Sequence, residues 1–334
     1  MSSNVSTTII TKYREVLQPT IQKIIDDYAT HFPEIYDPVI YSLKMSDRPE
    51  ISVLPFLTCK AFGNNFNLQA ASSQATAYAT LWASARTVDD ILDVDNNKNG
   101  VPTVWGKYGT DRAILSSFEL VANAIKHLTE SNRQLGFDQS KSDNLVKLLL
   151  QHVSTTVFGE LYDKRLADGL SKGNYVSIIE ILEMLKTKVA SWFYNPLLSG
   201  CLVANATNDQ VSIIQKFGTI FGIAYGILND IEDISGSFHD PLCGKINTVY
   251  VGAINDLKGT SDERFLRRIF NVRKISSRDL ERAKKICNDY IPEIRLTAAN
   301  FIEISQKKIN QLNGLINESA KEDLLKITSV LDLG

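Results

Sequence analysis

The chain has 334 residues, of which 44% are hydrophobic and 22% charged, so it can bury a large core and general disorder is excluded. Its 36 basic and 38 acidic side chains give a net charge of -2, which argues against nucleic acid as a partner. The four cysteines are far apart and form no CxxC pair, and the first residues carry no apolar run, so we expect a cytoplasmic protein. The apolar stretch 213–231 contains Lys216 and three glycines, which favours a buried helix over a membrane span.

Apolar residues recur every three or four positions along nearly the whole chain, and the alternation typical of strands never persists. This pattern predicts an all-α protein. The predicted helices, in chain order, cover residues 7–30, 50–62, 69–94, 108–130, 140–165, 175–204, 208–236, 261–270, 276–290, 293–316 and 319–331. No Ser/Gly/Pro-rich linker or internal repeat divides them, so we expect one domain over residues 1–334, with the helical segment 1–40 packed on it.

Asp89, Asp90 and Asp93 form a DDxxD motif at the end of the predicted helix 69–94, where the helix dipole disfavours negative charge. Asp89 and Asp93 are one turn apart, so their oxygens can share a hard cation such as Mg2+. For one such cluster taken alone, a solvated acidic helix end is the favoured explanation.

A second acidic cluster ends the predicted helix 208–236, with Asn229 and Asp233 one turn apart. Two long helices that both end in oxygen donors, with no histidine among them, favour Mg2+ shared with a substrate that carries a diphosphate. The predicted metal ligands are Asp89, Asp90, Asp93, Asn229 and Asp233.

Two lysines and two aromatic residues complete the candidate site. Lys188 precedes a segment that looks buried, and Lys245 follows the second acidic cluster, so both are candidates to bind the diphosphate. Taken singly, each lysine is more often a solvated surface residue. Trp82 and Tyr225 lie two turns and one turn before the acidic helix ends, where an aromatic face can stabilise a carbocation. Ordinary core packing is the alternative for such aromatic residues.

Several segments resemble, in order and separation, the motifs of trans-prenyl diphosphate synthases. They are 88–93, 100–109, 188–191, 221–236 and 244–248. The resemblance implies a helical bundle around a central cavity, an allylic prenyl diphosphate substrate, three Mg2+ ions bound with it, and a homodimer formed through the helix near 108–130. It also implies that Lys188 and Lys245 bind the substrate and act in catalysis.

The chain departs from this family where elongating members bind isopentenyl diphosphate. The family's histidine seven positions before the first aspartate is Trp82, and its arginine pair after DDxxD is Lys98-Asn99. Its basic signature keeps Arg48 with altered spacing. Lys98 and Arg48 are therefore predicted substrate-binding residues in a weakened second site. The second acidic region begins with Asn229, and the corresponding motif of class I terpene synthases also begins with an asparagine.

Three functions follow from these features. The first is an isoprenoid synthase that ionises an allylic diphosphate and then cyclises it or eliminates a proton to give a terpene. Small Ser84 and Ala85 before DDxxD favour a substrate of fifteen or twenty carbons. The alternative is a prenyltransferase that elongates the allylic diphosphate with isopentenyl diphosphate or prenylates another acceptor. The third, a noncatalytic subunit of a heteromeric synthase, is disfavoured by the intact aspartates.

Overall fold

The computed structural model describes residues 2–31, 33–45, 49–63, 66–98 and 100–330. These residues are almost entirely helical, which confirms the all-α prediction. The helices are α1 Ser2–Thr30, α2 Pro33–Met45, α3 Pro49–Ser52, α4 Leu54–Phe62, α5 Leu68–Asp93, α6 Val104–Tyr108, α7 Thr110–Gln134, α8 Gln139–Ser171, α9 Ile178–Lys188, α10 Ser191–Val203, α11 Asn208–Ser235, α12 His239–Leu242, α13 Thr248–Asp256, α14 Ser261–Ile269, α15 Ser277–Asn288, α16 Ile291–Asn310 and α17 Glu318–Ile327, before a 3-10 turn Thr328–Val330. A small antiparallel hairpin joins β1 Asn97–Lys98 to β2 Val101–Pro102.

The structure corrects several predicted boundaries. Helix α2 was not predicted because Pro33 and Pro38 were interpreted as interruptions. Proline is favoured at the first helical position, and Pro38 costs this helix only one internal hydrogen bond. The predicted helix 175–204 is two helices, α9 and α10. Helices α6, α12 and α13 and the hairpin occupy segments for which the sequence predicts no regular structure, and α6, α12 and the hairpin are too short to show a period.

The chain divides into two compact units, of which the first contains residues 1–151, 195–212 and 312–330. One core cluster of this unit joins α1, α2, α5 and α7 through buried apolar side chains such as Ile25, Val39 and Leu120. Ser84 of α5 and Ser117 of α7 donate to each other's backbone carbonyls at 2.9 and 3.4 Å. Small side chains on α5 therefore let α5 and α7 pack closely.

The second unit contains residues 152–194 and 213–311. Its core joins α9, α11, α13, α14 and α16 through buried side chains such as Ile227, Tyr250 and Leu266. A Cβ atom added to Gly222 would lie 2.5 Å from the Cα atom of Ala190. Helix α11 therefore crosses the junction between α9 and α10 at a distance that only glycine allows.

Among the described residues, one helix, α11, is long and apolar enough to cross a membrane by length and composition. In its most apolar window 56% of the residues are buried inside the structure, which is also expected of a core helix, so the resemblance to a span is weak. The expectations of a single domain and of a cytoplasmic protein stay predictions.

Candidate active site

The first predicted acidic cluster lies at the C-terminal end of α5. Asp90 and Asp93 are buried, with 3% and 4% of their surface exposed, and Asp89 is half-buried. The last turn of α5 contains no basic residue to offset the helix dipole. The helix ends abruptly because Val94 adopts a left-handed conformation with φ 62°, which is rare for a β-branched residue. The N–H of Asp95 then bonds to the carbonyl of Asp90 at 2.9 Å.

Lys98 supplies the counter-charge to this cluster. Its Nζ atom lies 2.6 Å from Asp90 Oδ1, 3.2 Å from Asp95 Oδ2 and 4.0 Å from Asp89 Oδ2. Burial raises the pKa of Asp90, although Lys98 acts to lower it. Burial acts to lower the pKa of Lys98, but the neighbouring carboxylates outweigh it and raise that pKa. The structure therefore pairs Lys98, a predicted substrate-binding residue, with the predicted metal ligands.

The position of Lys98 is fixed by the short hairpin that carries it. Tyr41 on α2 donates its hydroxyl to the carbonyl of Pro102 at 2.7 Å. The Thr103 hydroxyl and the Trp105 indole N–H both donate to the carbonyl of Asp95, each at 2.7 Å. These bonds anchor both ends of the segment between the acidic helix and α6, so the hairpin holds Lys98 beside the carboxylates.

Trp82 lines a cavity of about 560 Å³ in the first unit. Tyr13, Leu17 and Ile25 of α1 contribute apolar surface to the wall, and the charged lining residues are Arg14, Glu15 and Lys44. Its volume lies within the range of about 300–1,000 Å³ that is common for small-molecule sites. The predicted substrate-binding residue Arg48 lies outside the residues that the structure describes, and so does Asn99, which follows Lys98.

In the second unit, Lys188 ends α9 and is held by two carboxylates of α8. Its Nζ atom lies 2.6 Å from Asp163 Oδ2 and 2.9 Å from Glu160 Oε2. The other oxygen of Asp163 accepts the backbone N–H of Ile246 at 2.9 Å. Ile246 follows Lys245, so one buried carboxylate connects Lys188 to the loop that carries Lys245.

Asp163 was not predicted from the sequence. It is 1% exposed, as only a paired or bonded carboxylate can be without a large cost. The signal that points to it is its position one turn after Glu160 on α8, on the same face of the helix. Nothing in the local sequence of α8 indicates that this face meets Lys188.

The backbone at Lys188 is shaped by close packing. The N–H of Ala190 bonds to the carbonyl of Leu185, five residues back, at 2.8 Å, a widened turn of the kind often found at functional sites. A Cβ atom added to Gly159 of α8 would lie 2.5 Å from the backbone nitrogen of Lys188. The end of α9 therefore rests directly on the backbone of α8.

In the second acidic cluster, the carboxylate of Asp230 is hydrogen-bonded to the first residue of α13. Asp230 is buried, and its Oδ2 atom accepts the backbone N–H and the hydroxyl of Thr248 at 2.7 and 2.5 Å. Burial raises the pKa of this carboxyl to about 8. Asp230 thus fixes the start of α13. Asn229, its predicted metal-binding neighbour, is exposed on the surface of the chain.

Asp233 organises the loop that leads into α12. Its Oδ1 atom accepts the Ser237 hydroxyl at 2.6 Å and the N–H of His239 at 2.8 Å, and its Oδ2 atom accepts the N–H of Asp240 at 3.0 Å. These hydrogen bonds do not prevent metal binding, because carboxylate and amide oxygens have further lone pairs. Metal binding by Asn229 and Asp233 stays a prediction.

Tyr225 belongs to a cluster of aromatic rings in the second unit. Its ring centroid lies 4.8 Å from that of Phe193, which in turn lies 5.2 Å from that of Phe221. Tyr225 is half-buried, so part of the residue stays accessible to solvent. Its predicted contact with a carbocation stays a prediction, as does that of Trp82.

Comparison with known proteins gives the class of this helical protein. The family model for polyprenyl synthetases matches residues 34–287, more than half of the chain. The chain therefore belongs to the polyprenyl synthetase family, which confirms the resemblance to trans-prenyl diphosphate synthases.

Individual proteins of known name resemble this chain. Geranylgeranyl diphosphate synthase of Sulfolobus acidocaldarius is 28% identical over 247 residues, covering 71% of this chain and 70% of that protein. Geranylfarnesyl diphosphate synthase of Aeropyrum pernix is 26% identical over 263 residues, covering 77% and 78%. The crystal structure of geranylgeranyl pyrophosphate synthase from Corynebacterium glutamicum, complexed with isoprenyl diphosphate and magnesium, has a TM-score of 0.83 at 17% identity, covering 95% and 97%, and shows the fold alone.

These comparisons bear on the two leading functions. Both relatives are named as prenyl diphosphate synthases and neither as a terpene synthase. They support the alternative function, prenyl transfer, and give no support to the cyclisation that the departures at Trp82 and Asn229 suggested.

Proposed function

We propose that this protein is a Mg2+-dependent trans-prenyltransferase that elongates an allylic prenyl diphosphate with isopentenyl diphosphate. The observation that carries the proposal is the acidic end of α5, where Asp89 and Asp90 converge on a cation in a chain of the polyprenyl synthetase family. Incubation of the purified protein with Mg2+ and an allylic diphosphate, with and without isopentenyl diphosphate, tests it. We expect longer diphosphates only when isopentenyl diphosphate is present, and a hydrocarbon formed without it would favour cyclisation.

The residues at the end of α5 fit a magnesium ion. Asp89, Asp90 and Asp93 offer carboxylate oxygens, the donors that Mg2+ prefers, and the Lys98 ammonium group already occupies a cation position between two of them. When bound, Mg2+ supplies positive charge that stabilises the departing diphosphate. Asp89, Asp90 and Asp93 would hold it, and metal binding by Asn229 and Asp233 is a separate proposal.

The second unit contributes two lysines, of which Lys188 is paired with Glu160 and Asp163. Asp163 holds the Lys188 ammonium group and, through the N–H of Ile246, the backbone of the loop that carries Lys245. Charges that need no reorganisation stabilise a developing anion most effectively. We propose that both lysines bind the allylic diphosphate, and that the ring of Tyr225 stabilises the allylic cation by about 0.5–2 kcal/mol.

The cavity beside Trp82 supports a site for the acceptor. Its wall combines the apolar residues Leu17 and Ile25 with two exposed cations, Arg14 and Lys44. Such a lining suits a short apolar chain that ends in a diphosphate. We propose that Trp82 forms one wall of this site, and that Arg14 and Lys44 replace the basic groups that the sequence lacks elsewhere.

Replacing Arg14 and Lys44 by alanine tests this acceptor site. Loss of two partly exposed charged contacts is expected to raise KM for isopentenyl diphosphate by about a hundredfold, because each charge-assisted hydrogen bond contributes roughly 1.5 kcal/mol or more. KM for the allylic substrate should stay unchanged. Lys12→Ala is the matched control, because Lys12 is on the same helix as Arg14 but does not line the cavity. Its Nζ atom lies 5.5 Å from the centroid of the Tyr13 ring. Equal effects on both substrates would contradict the assignment.

We also propose a homodimer formed through α7. Ile114, Leu115 and Phe118 of this helix are 41%, 66% and 68% exposed and lie on one face. Three large apolar side chains grouped in this way mark an interface more often than isolated ones do.

Leu115→Asp combined with Phe118→Glu should shift a dimer to a monomer in sedimentation at micromolar concentration. Ile35→Asp, at an exposed apolar residue on α2, should leave the mass unchanged. A monomeric unmodified protein would refute the dimer.

A further inference from the structure

Lys98 occupies the position next to the carboxylates that the proposed function assigns to Mg2+. We propose that Lys98 is an internal counter-ion that competes with the metal for Asp89 and Asp90 and leaves them when the metal binds. The inference rests on the proposed function for the identity of the ion, whereas the competition follows from the contacts of Lys98 itself.

The first step is geometric. The Lys98 Nζ atom lies 2.6 Å from Asp90 Oδ1 and 4.0 Å from Asp89 Oδ2, on the side of the cluster that solvent reaches, since 34% of the lysine side chain is exposed. The hairpin anchored by Tyr41 and Thr103 keeps the Lys98 backbone beside α5. Only the flexible four-carbon stem has to turn for the ammonium group to leave.

The second step is electrostatic. A divalent ion bound to the oxygen that Lys98 contacts would be within a few ångströms of the ammonium group, and two cations at that distance repel strongly. Lys98 must therefore release Asp90 before a metal can use the same oxygen. Asp95, 3.2 Å from the Nζ atom, offers the lysine a second carboxylate on the hairpin side of the cluster.

The third step concerns the type of cation. Lysine presents a compact charge on a flexible stem, whereas arginine presents a planar fork that binds a carboxylate through two parallel bonds. A lysine at position 98 can thus compensate the buried aspartates and still be displaced. The apparent metal affinity is the intrinsic affinity multiplied by the fraction of molecules in which Lys98 has left the cluster.

Metal binding without substrate tests the proposal. Mn2+ serves as the probe, and its free concentration is measured by electron paramagnetic resonance during titration of the protein. Lys98→Met keeps the length of the side chain and removes the charge, and it should bind Mn2+ at least about tenfold more tightly than the unmodified protein. Lys98→Arg should bind no more tightly than the unmodified protein.

Lys107→Met is the matched control, because it removes one positive charge nearby. Lys107 lies over the ring of Tyr41, with its Nζ atom 4.2 Å from the centroid. Its loss should change Mn2+ affinity by much less than the loss of Lys98. Equal affinities in Lys98→Met and Lys107→Met, or weaker binding in Lys98→Met, would overturn the proposal.

Thermal unfolding gives a second readout that does not depend on turnover. Without metal, Lys98→Met should unfold at a lower temperature than the unmodified protein, because its buried aspartates have lost a cation. Saturating Mg2+ should then raise the unfolding temperature of Lys98→Met by more than that of the unmodified protein. A smaller rise would refute competition. Absence of metal binding in both proteins would instead refute the proposed Mg2+ site.

Discussion

Alanine at Asp89 or at Asp93 is expected to lower the turnover number for prenyl transfer at least about a thousandfold, a loss of roughly 4 kcal/mol in transition-state stabilisation. Both side chains belong to the acidic end of α5, where the helix dipole already disfavours negative charge and a bound cation has most to stabilise. Without either carboxylate, the charge that assists departure of the diphosphate is misplaced or absent.

Steady-state assays with saturating substrates and Mg2+ measure this effect, and circular dichroism checks that each variant is folded. Asp111→Ala is the matched control, because Asp111 is an exposed carboxylate in the first turn of α7. Its removal should leave turnover within about twofold of the unmodified protein. Full activity in excess EDTA, or only a mild loss in both folded variants, would disprove the metal site.

The second large effect concerns stability. Asp163→Asn should lower the free energy of unfolding by up to about 3–5 kcal/mol, because it breaks a buried ion pair and leaves only the more exposed Glu160 to compensate Lys188. Asp163 has 2% of its side chain exposed and bonds both Lys188 and the N–H of Ile246. The loss therefore loosens α9 and the loop of Lys245 together.

Glu160→Gln supplies the comparison, since Glu160 contacts the same ammonium group with 26% of its side chain exposed. An ion pair that water can reach contributes only about 0–1 kcal/mol, so this variant should unfold close to the unmodified protein. Urea unfolding at neutral pH, followed by circular dichroism, measures both. Equal destabilisation by the two substitutions would show that burial does not distinguish the two carboxylates.

Two long helices could be predicted from the sequence almost to the residue, whereas α8, Gln139–Ser171, extends six residues past its predicted end at 165. The predicted helix 69–94 is Leu68–Asp93, and 208–236 is Asn208–Ser235, because their apolar periods persist over many turns. The break between α9 and α10 could not be predicted in this way. It depends on Gly159 and Gly222, which lie on other helices and act through close packing.

In the candidate site, too, the sequence predicts what is contiguous in one helix and not what distant segments bring together. Asp89, Asp90 and Asp93 could be found because the motif is contiguous in one helix. The pairing of Asp163 with Lys188 joins residues 25 positions apart, and no local pattern records which faces of α8 and α9 meet. The pairing of Lys98 with Asp90 depends on a hairpin whose two-residue strands are too short to show alternation.

The contact between Gly159 and Lys188 restricts which sequences this protein can accept. A Cβ atom at position 159 would lie 2.5 Å from the nitrogen and 2.6 Å from the Cα atom of Lys188, so the position has room only for a hydrogen atom. Two residues further on, Leu161 is 66% exposed and can accept many side chains. In a library that randomises α8, selection for activity should therefore return glycine at 159 and a broad mixture at 161. The backbone at position 188 thus determines which residue α8 can carry at position 159.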